Sequence, residues 1–147
     1  MTITIQGQQV TDALLRLKNS VSNMQPVFDE IGRNVRTNID LCFRDGLSPN
    51  GINWAVLSPV TIAKKGSAVK LINHGVLRNS ITYSAHSNFV EIGTSDKRAA
   101  MLNFGGTKTV FNHLWGDIPA RPFFPDAQFP SDWAEDIVDI IEQHIGL

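Results

Sequence analysis

The sequence predicts an α+β domain: a small, mainly antiparallel sheet packed by a long N-terminal helix and a C-terminal helix. Three observations predict it. Apolar side chains from Leu14 to Cys42 recur at steps of three and four, the period of one helix face. Residues 80–94 alternate apolar and polar around a Ser-Asn pair, the pattern of a β-hairpin. A second helical stripe, Trp133, Ile137, Ile140, Ile141 and Ile145, lies near the end of the sequence. Helices flanking a short sheet define the class.

The elements follow in order. Residues 2–6 alternate Thr-Ile-Thr-Ile-Gln, a short strand with Ile3 and Ile5 on one face, broken by Gly7. The long stripe then runs through Leu14, Leu17, Val21, Met24, Phe28, Ile31, Val35, Ile39 and Cys42. Pro26 interrupts it, because proline lacks an amide hydrogen and clashes with the preceding turn. The spacing predicts two helices, 11–21 and 24–44, or one helix kinked near Pro26. Asn23 is placed to cap the second, with Pro26 at its third position. Asp29–Arg33 and Arg36–Asp40 are opposite charges at i, i+4 on the polar side. The stripe suits packing on the chain's own sheet or a coiled-coil seam between subunits.

Asp45-Gly46 ends this helix, and Ser48-Pro-Asn-Gly51 is turn chemistry, with Trp54 following in a loop. Ser58-Pro59 predicts an N-cap with proline at the first position, opening a short helix that stops by Gly66. Residues 67–79 read as irregular, with one helical turn around 76–78. In the hairpin, Ile81, Tyr83 and Ala85 share a face, Ser87-Asn88 turns the chain, and 89–94 returns. Thr94 or Ser95 is expected to cap a helix through Phe104, ended by Gly105-Gly106. A further strand is expected around 108–111. Pro119, Pro122, Pro125 and Pro130 exclude a regular element from 116 to 130. Ser131 or Asp132 is expected to cap the last helix, Asp132 and Glu135 having capping-box spacing.

Composition sets the outer bounds. A chain of 147 residues suits a single domain, 1–147, and at this length buries roughly 68–70% of its unfolded surface. Thirteen basic against fourteen acidic residues give a net charge of −1, without the cationic surplus that general nucleic-acid binding requires. Cys42 is the one cysteine, so no intramolecular disulfide is possible. The start lacks a basic and long apolar leader, and no apolar run approaches the ~20 residues of a membrane helix. A soluble protein made inside the cell, with neither membrane nor nucleic acid as partner, is the expectation.

The sequence carries no catalytic signature. No two of His74, His86, His113 and His144 are i, i+4 neighbours, and no His-Glu-x-x-His pattern occurs. A metal-dependent hydrolase would have to combine His113 and Asp117 with a distant ligand such as His74. Cys42 lies on the apolar side of its helix, where a structural thiol is expected. Gly105-Gly106-Thr107-Lys108 lacks the upstream glycine of a phosphate loop. The carboxylate pairs Asp29/Glu30 and Glu135/Asp136 are adjacent in sequence, so on a helix they point about 100° apart. No catalytic residue, metal ligand or cofactor is assigned.

An ordered set of motifs does stand out. Ser48-Pro-Asn-Gly-Ile-Asn-Trp54 is followed by Gly75-Val-Leu77, the hairpin with Val90-Glu-Ile-Gly-Thr94, Asn103-Phe-Gly-Gly106 and Ile118-Pro-Ala-Arg-Pro-Phe-Phe124. Over residues 40–145 this order resembles the virion-morphogenesis, or tail-completion, family of Mu-like phages. The matching structural positions are Pro49, Gly51, Trp54, Gly75, Leu77, Phe104, Gly105 and Gly106. Where many relatives have an aromatic residue and a histidine before Phe-Gly-Gly, this chain has Arg98 and Leu102. His74 stands where a small hydroxyl residue is common. These departures fit packing or interface positions better than a reaction site.

The resemblance implies a structural part that completes the phage tail for head joining, made in the host cytoplasm and then carried in the virion. It implies as partners further copies of the chain, in a ring, and tail or neck proteins. A head–tail connector or tail-terminator subunit is the alternative within the class. Within 118–125, Pro119 and Pro122 stiffen the backbone, which lowers the entropy lost on docking. Arg121 offers a planar fork for a carboxylate, and Phe123 and Phe124 offer apolar area. Ile118, Pro119, Arg121, Pro122, Phe123 and Phe124 are therefore interface candidates. The arm could equally pack back on its own domain, with Arg121 pairing internally.

Overall fold

The computed structural model describes residues 8–72 and 74–146. The expected strand over 2–6 lies outside the described residues. The element order is α1 (Gln8–Ser22), α2 (Gln25–Asp45), α3 (Pro59–Lys65), α4 (Val76–Asn79), β1 (Ile81–Ala85), β2 (Val90–Thr94), α5 (Ala99–Phe104) and α6 (Ser131–Ile145). The α+β expectation holds, with helices at both ends around a two-stranded antiparallel sheet.

α2 is the middle layer. Its apolar stripe, Val27, Ile31, Val35, Ile39 and Cys42, is buried, as is Phe43. The hairpin packs on one side of α2 and α6 on another. Gly32 lets the hairpin approach: a Cβ there would overlap the Tyr83 ring and Val90. α6 contributes buried Trp133 and half-buried Ile137, Ile140 and Ile141 to the same core. Cys42 sits in this core as a free thiol, and burial, with Asp45 adding to it, pushes its pKa up to about 11.

The long stripe divides at the break before Pro26. Two helices form, and Pro26 falls in the first turn of α2, where a missing N–H leaves no hydrogen bond unmade. Met24 occupies the cap position, so Asn23 stands one residue too early; its side chain accepts from the Gln25 amide at 3.4 Å. The α2 half of the stripe is intrachain core. In α1 no residue is buried, and Leu14 remains 61% exposed. α1 meets the rest of the fold at α6, where the His144 ring N–H donates to the Ser20 carbonyl at 2.9 Å.

Several local expectations hold. Ser58 caps α3 by accepting the Thr61 amide, and Gly66 ends that helix with positive φ. The hairpin pairs Ile81 with Thr94 through Ala85 with Val90, and Ser87-Asn88 lies between His86 and Phe89, which close the turn. Asp29 pairs with Arg33 at 2.6 Å.

Others are corrected. Arg36 turns to the Ile81 carbonyl, while Asp40 takes both branches of Arg78 at 2.5 Å. Neither Thr94 nor Ser95 caps a helix: α5 starts only at Ala99, and Asp96, accepting from the Arg98 amide, shapes the preceding turn. The 108–111 strand is a turn, because the Val110 and Phe111 amides bond back to Thr107 instead of a neighbouring strand. α6 begins one residue early, after Pro130, so Ser131 and Asp132 lie inside it and no side-chain cap forms. Asp132 then sits in the first turn, where the helix dipole favours a carboxylate.

Candidate functional site

The motifs separated by up to 70 residues in sequence converge on one frame at the C-terminal end of α2. Gly46 ends α2 in the left-handed conformation with its amide on Cys42, and its carbonyl receives the Trp54 amide. Between them, residues 47 and 53 form an antiparallel bridge. Ser48 organises the tip: its carbonyl accepts from Gly51 at 2.9 Å and its hydroxyl from the Ile52 amide at 3.0 Å. Gly51 adopts φ +78°, which a side-chain-bearing residue rarely tolerates. The outcome is a rigid stalk that drives Trp54 into the core, edge-on to Phe43 with centroids 5.6 Å apart.

The arm 118–125 is bonded to this stalk. Trp54 Nε1–H donates to the Pro122 carbonyl at 2.7 Å. Arg121 is buried and donates through Nε to the Ala55 carbonyl at 3.0 Å and through Nη2 to the Val56 carbonyl at 3.1 Å. The internal alternative for Arg121 is thus the one observed, with carbonyls in place of a carboxylate. Burial pulls the pKa of Arg121 below its ordinary value. Phe123 is completely buried against Phe43, centroids 5.0 Å apart, and half-buried Phe124 packs on Phe123. Ile118 and Pro122 are half-buried, and Pro119 is exposed.

The Phe-Gly-Gly turn completes the frame from α5. Buried Asn103 accepts both the Phe123 and Phe124 amides on one oxygen, at 2.9 and 3.0 Å. The Arg121 amide donates to the Leu102 carbonyl. Gly105, at φ +73°, lies so close to the arm that a Cβ would overlap the Ile118 carbonyl and Ala120. Gly106 and Ile118 exchange hydrogen bonds of 2.9 and 2.7 Å, closing the base of the 107–117 loop. Gly75 takes φ +71° to open α4, which turns Leu77 into the core. Among the described residues no buried side-chain nitrogen or oxygen lacks a partner.

Among the polar side chains that the frame presents outward, a few large apolar ones are exposed. Phe104 is 73% exposed and Trp115, in the 107–117 loop, fully so, with Val110 exposed nearby in sequence. Two residues went unselected in the sequence. Asn103 is a lone amide beside a glycine pair, with no periodic signal. Trp115 stands outside any apolar period, and that isolation was the available cue.

No three His, Cys, Asp or Glu side chains among the described residues converge as a metal site, so the hydrolase constellation does not assemble. Asp117 accepts the Lys108 amide at 2.8 Å, the His113 ring lies edge-on to Phe111, and His74 lines a small cleft with Leu71, Leu77 and Arg98. Among the described residues no helix is long and apolar enough to cross a membrane.

Interlocked loops hold this end of the fold, and the side chains of Phe104 and Trp115 are turned outward. The chain matches the phage virion morphogenesis family over residues 5–146 and belongs to it. Its role is therefore in phage structure or assembly, in association with other phage proteins. No curated protein and no solved structure matches the chain.

Proposed function

We propose that this chain, acting as one domain, is a non-enzymatic tail-completion component that makes the finished tail competent to join the head. Family membership across residues 5–146 carries the reading. The frame supports it physically, since a pre-stiffened contact surface loses little entropy on docking. Arg121, Phe123 and Asn103 lock the arm from inside, which leaves Pro119, Phe104 and Trp115 to meet a neighbouring tail or neck protein. Tail symmetry favours several copies in a closed ring, because head-to-tail contacts that close give rings. The protein is made in the host cytoplasm and ends in the virion, at the tail end or neck.

The test is the particle made without this protein. Separate filled heads and normal-length tails, joined on adding the purified chain, are expected. Overlong tails would assign the chain to tail termination instead.

A further inference from the structure

The distribution of charge along the chain is uneven in a way the net value conceals. Between Asp45 and Glu91 there is no acidic residue but four basic ones, Lys64, Lys65, Lys70 and Arg78. After Arg121 there is no Lys or Arg but six acidic residues, five of them on α6. Arg78 is engaged by Asp40; among the described residues no ion pair engages the three lysines or any α6 carboxylate.

The lysines and the Asp136–Asp139 pair lie at different ends of α2, whereas Asp132, beside Cys42 and Asp45, and Asp126, beside Ser48 and Pro49, remain at the basic end. Lys70 runs beside Gly46, the C-cap of α2, and Lys65 is close enough to Arg121 to feel its charge. Asp136 and Asp139 instead border a groove with Glu30, Arg33 and Thr37 of α2. At 1.5 Å per residue, Arg33 and Gly46 are roughly 20 Å apart along the helix. Each end also exposes apolar surface. The basic end carries Val56 and Val60, 79% and 66% exposed; the acidic end carries Leu14 and Leu17 of α1, a helix that also bears Arg16 and Lys18 and is bonded to α6.

We infer that copies of this chain associate head to tail, the Lys64–Lys65–Lys70 end of one seating on the α6–α1 end of the next. Opposite charge aligns the two ends and penalises like-end contacts, while the exposed valines and leucines supply the area buried. The two patches differ, so the contact is heterologous and repeats from copy to copy. This rests on the self-assembly part of the proposed function.

The test is sedimentation velocity on the full chain at low salt and at about 0.5 M salt, where charge steering is screened. Wild type should associate, and less so at high salt. Lys64→Glu with Lys65→Glu, or Asp139→Lys with Glu142→Lys, should each weaken association about tenfold or more. An equimolar mixture of the two double variants should restore it, because every contact then pairs opposite charges. Lys64→Gln with Lys65→Gln should fall between, and circular dichroism should show all variants folded. Wild type that stays monomeric at low salt, a double variant that associates normally, or a mixture that fails to re-associate overturns the inference. The variants are also added to tails lacking the protein. Head joining that survives while association is indifferent to these charges rejects this contact and leaves the assembly role standing.

Discussion

Asn103 should be the most sensitive polar side chain in the fold. It is 5% exposed, and its one oxygen accepts two backbone amides from the arm, Phe123 at 2.9 Å and Phe124 at 3.0 Å. Asn103→Ala leaves both amides without an acceptor, one of them in a fully buried residue. A stranded buried donor costs about 1–3 kcal/mol, so the pair costs about 2–6 kcal/mol. At about 2–4 °C per kcal/mol for a domain near this size, Tm should fall by about 4–24 °C. Urea titration checks the value, with an unchanged slope showing that stability and not the extent of unfolding has moved. Asn103→Leu separates the causes, because it restores side-chain volume without restoring an acceptor. If the hydrogen bonds dominate, leucine is nearly as damaging as alanine. A leucine variant within about 1 kcal/mol of wild type refutes the reasoning and makes volume the cause.

Three further outcomes are expected. Gly32→Ala should destabilise: helix propensity gains about 1 kcal/mol, but overpacking against Tyr83 and Val90 costs about 1–3 kcal/mol. In a Tyr83→Ala, Val90→Ala background, where both overlaps are removed, thermal melts should show the same change as neutral or stabilising. Asp40 is held below the ordinary carboxylate range, chiefly by its hydrogen bond to Arg78. A depressed folded pKa means its contribution is present above about pH 4 and is lost as pH falls through the folded value. With both side chains a third exposed, that contribution is at most about 1 kcal/mol. Asp40→Asn should flatten the acid limb of stability against pH by that amount. Cys42, buried and pushed to about pKa 11, should react with a thiol reagent at pH 8 only after unfolding. Rapid labelling of the native chain would count against its burial.

The sequence disclosed elements wherever one local rule dominated. The 3/4 stripe marked α2, Ser58-Pro59 marked the start of α3, and alternation around Ser87-Asn88 marked the hairpin. It misled where two local rules competed. Residues 108–111 have strand composition, but Thr107 captures their amides and Asp117 takes the Lys108 amide, so a turn forms. Asp132 and Glu135 have capping-box spacing, yet Pro130 ends the extended segment and the helix starts before either can cap. Partners across 38 or more positions, such as Arg78 on Asp40 or Trp54 on Pro122, obey no spacing rule. The arm illustrates this: its prolines and phenylalanines announced a stiff apolar segment, but which side faced inward depended on Asn103 and on carbonyls 65 residues away.

α1 and α2 share one periodic pattern but not one fate, and the difference is informative. α2 has the hairpin and α6 to cover its stripe, so its helix is stabilised by burial. α1 has 15 residues, near the length at which an isolated helix is marginal in water, and buries none of them. Its leucines nevertheless keep the spacing of a packed face through Val21. A random polar surface helix has no reason to hold that register, because spacing costs solubility unless something covers it. The rest of the core closes without α1: Phe43, Trp54 and Phe123 interlock and α6 seals α2. Among the described residues, then, nothing in one copy buries the stripe on α1. In the head-to-tail association inferred above, this stripe beside α6 is where the Val56–Val60 end of a neighbouring copy would sit.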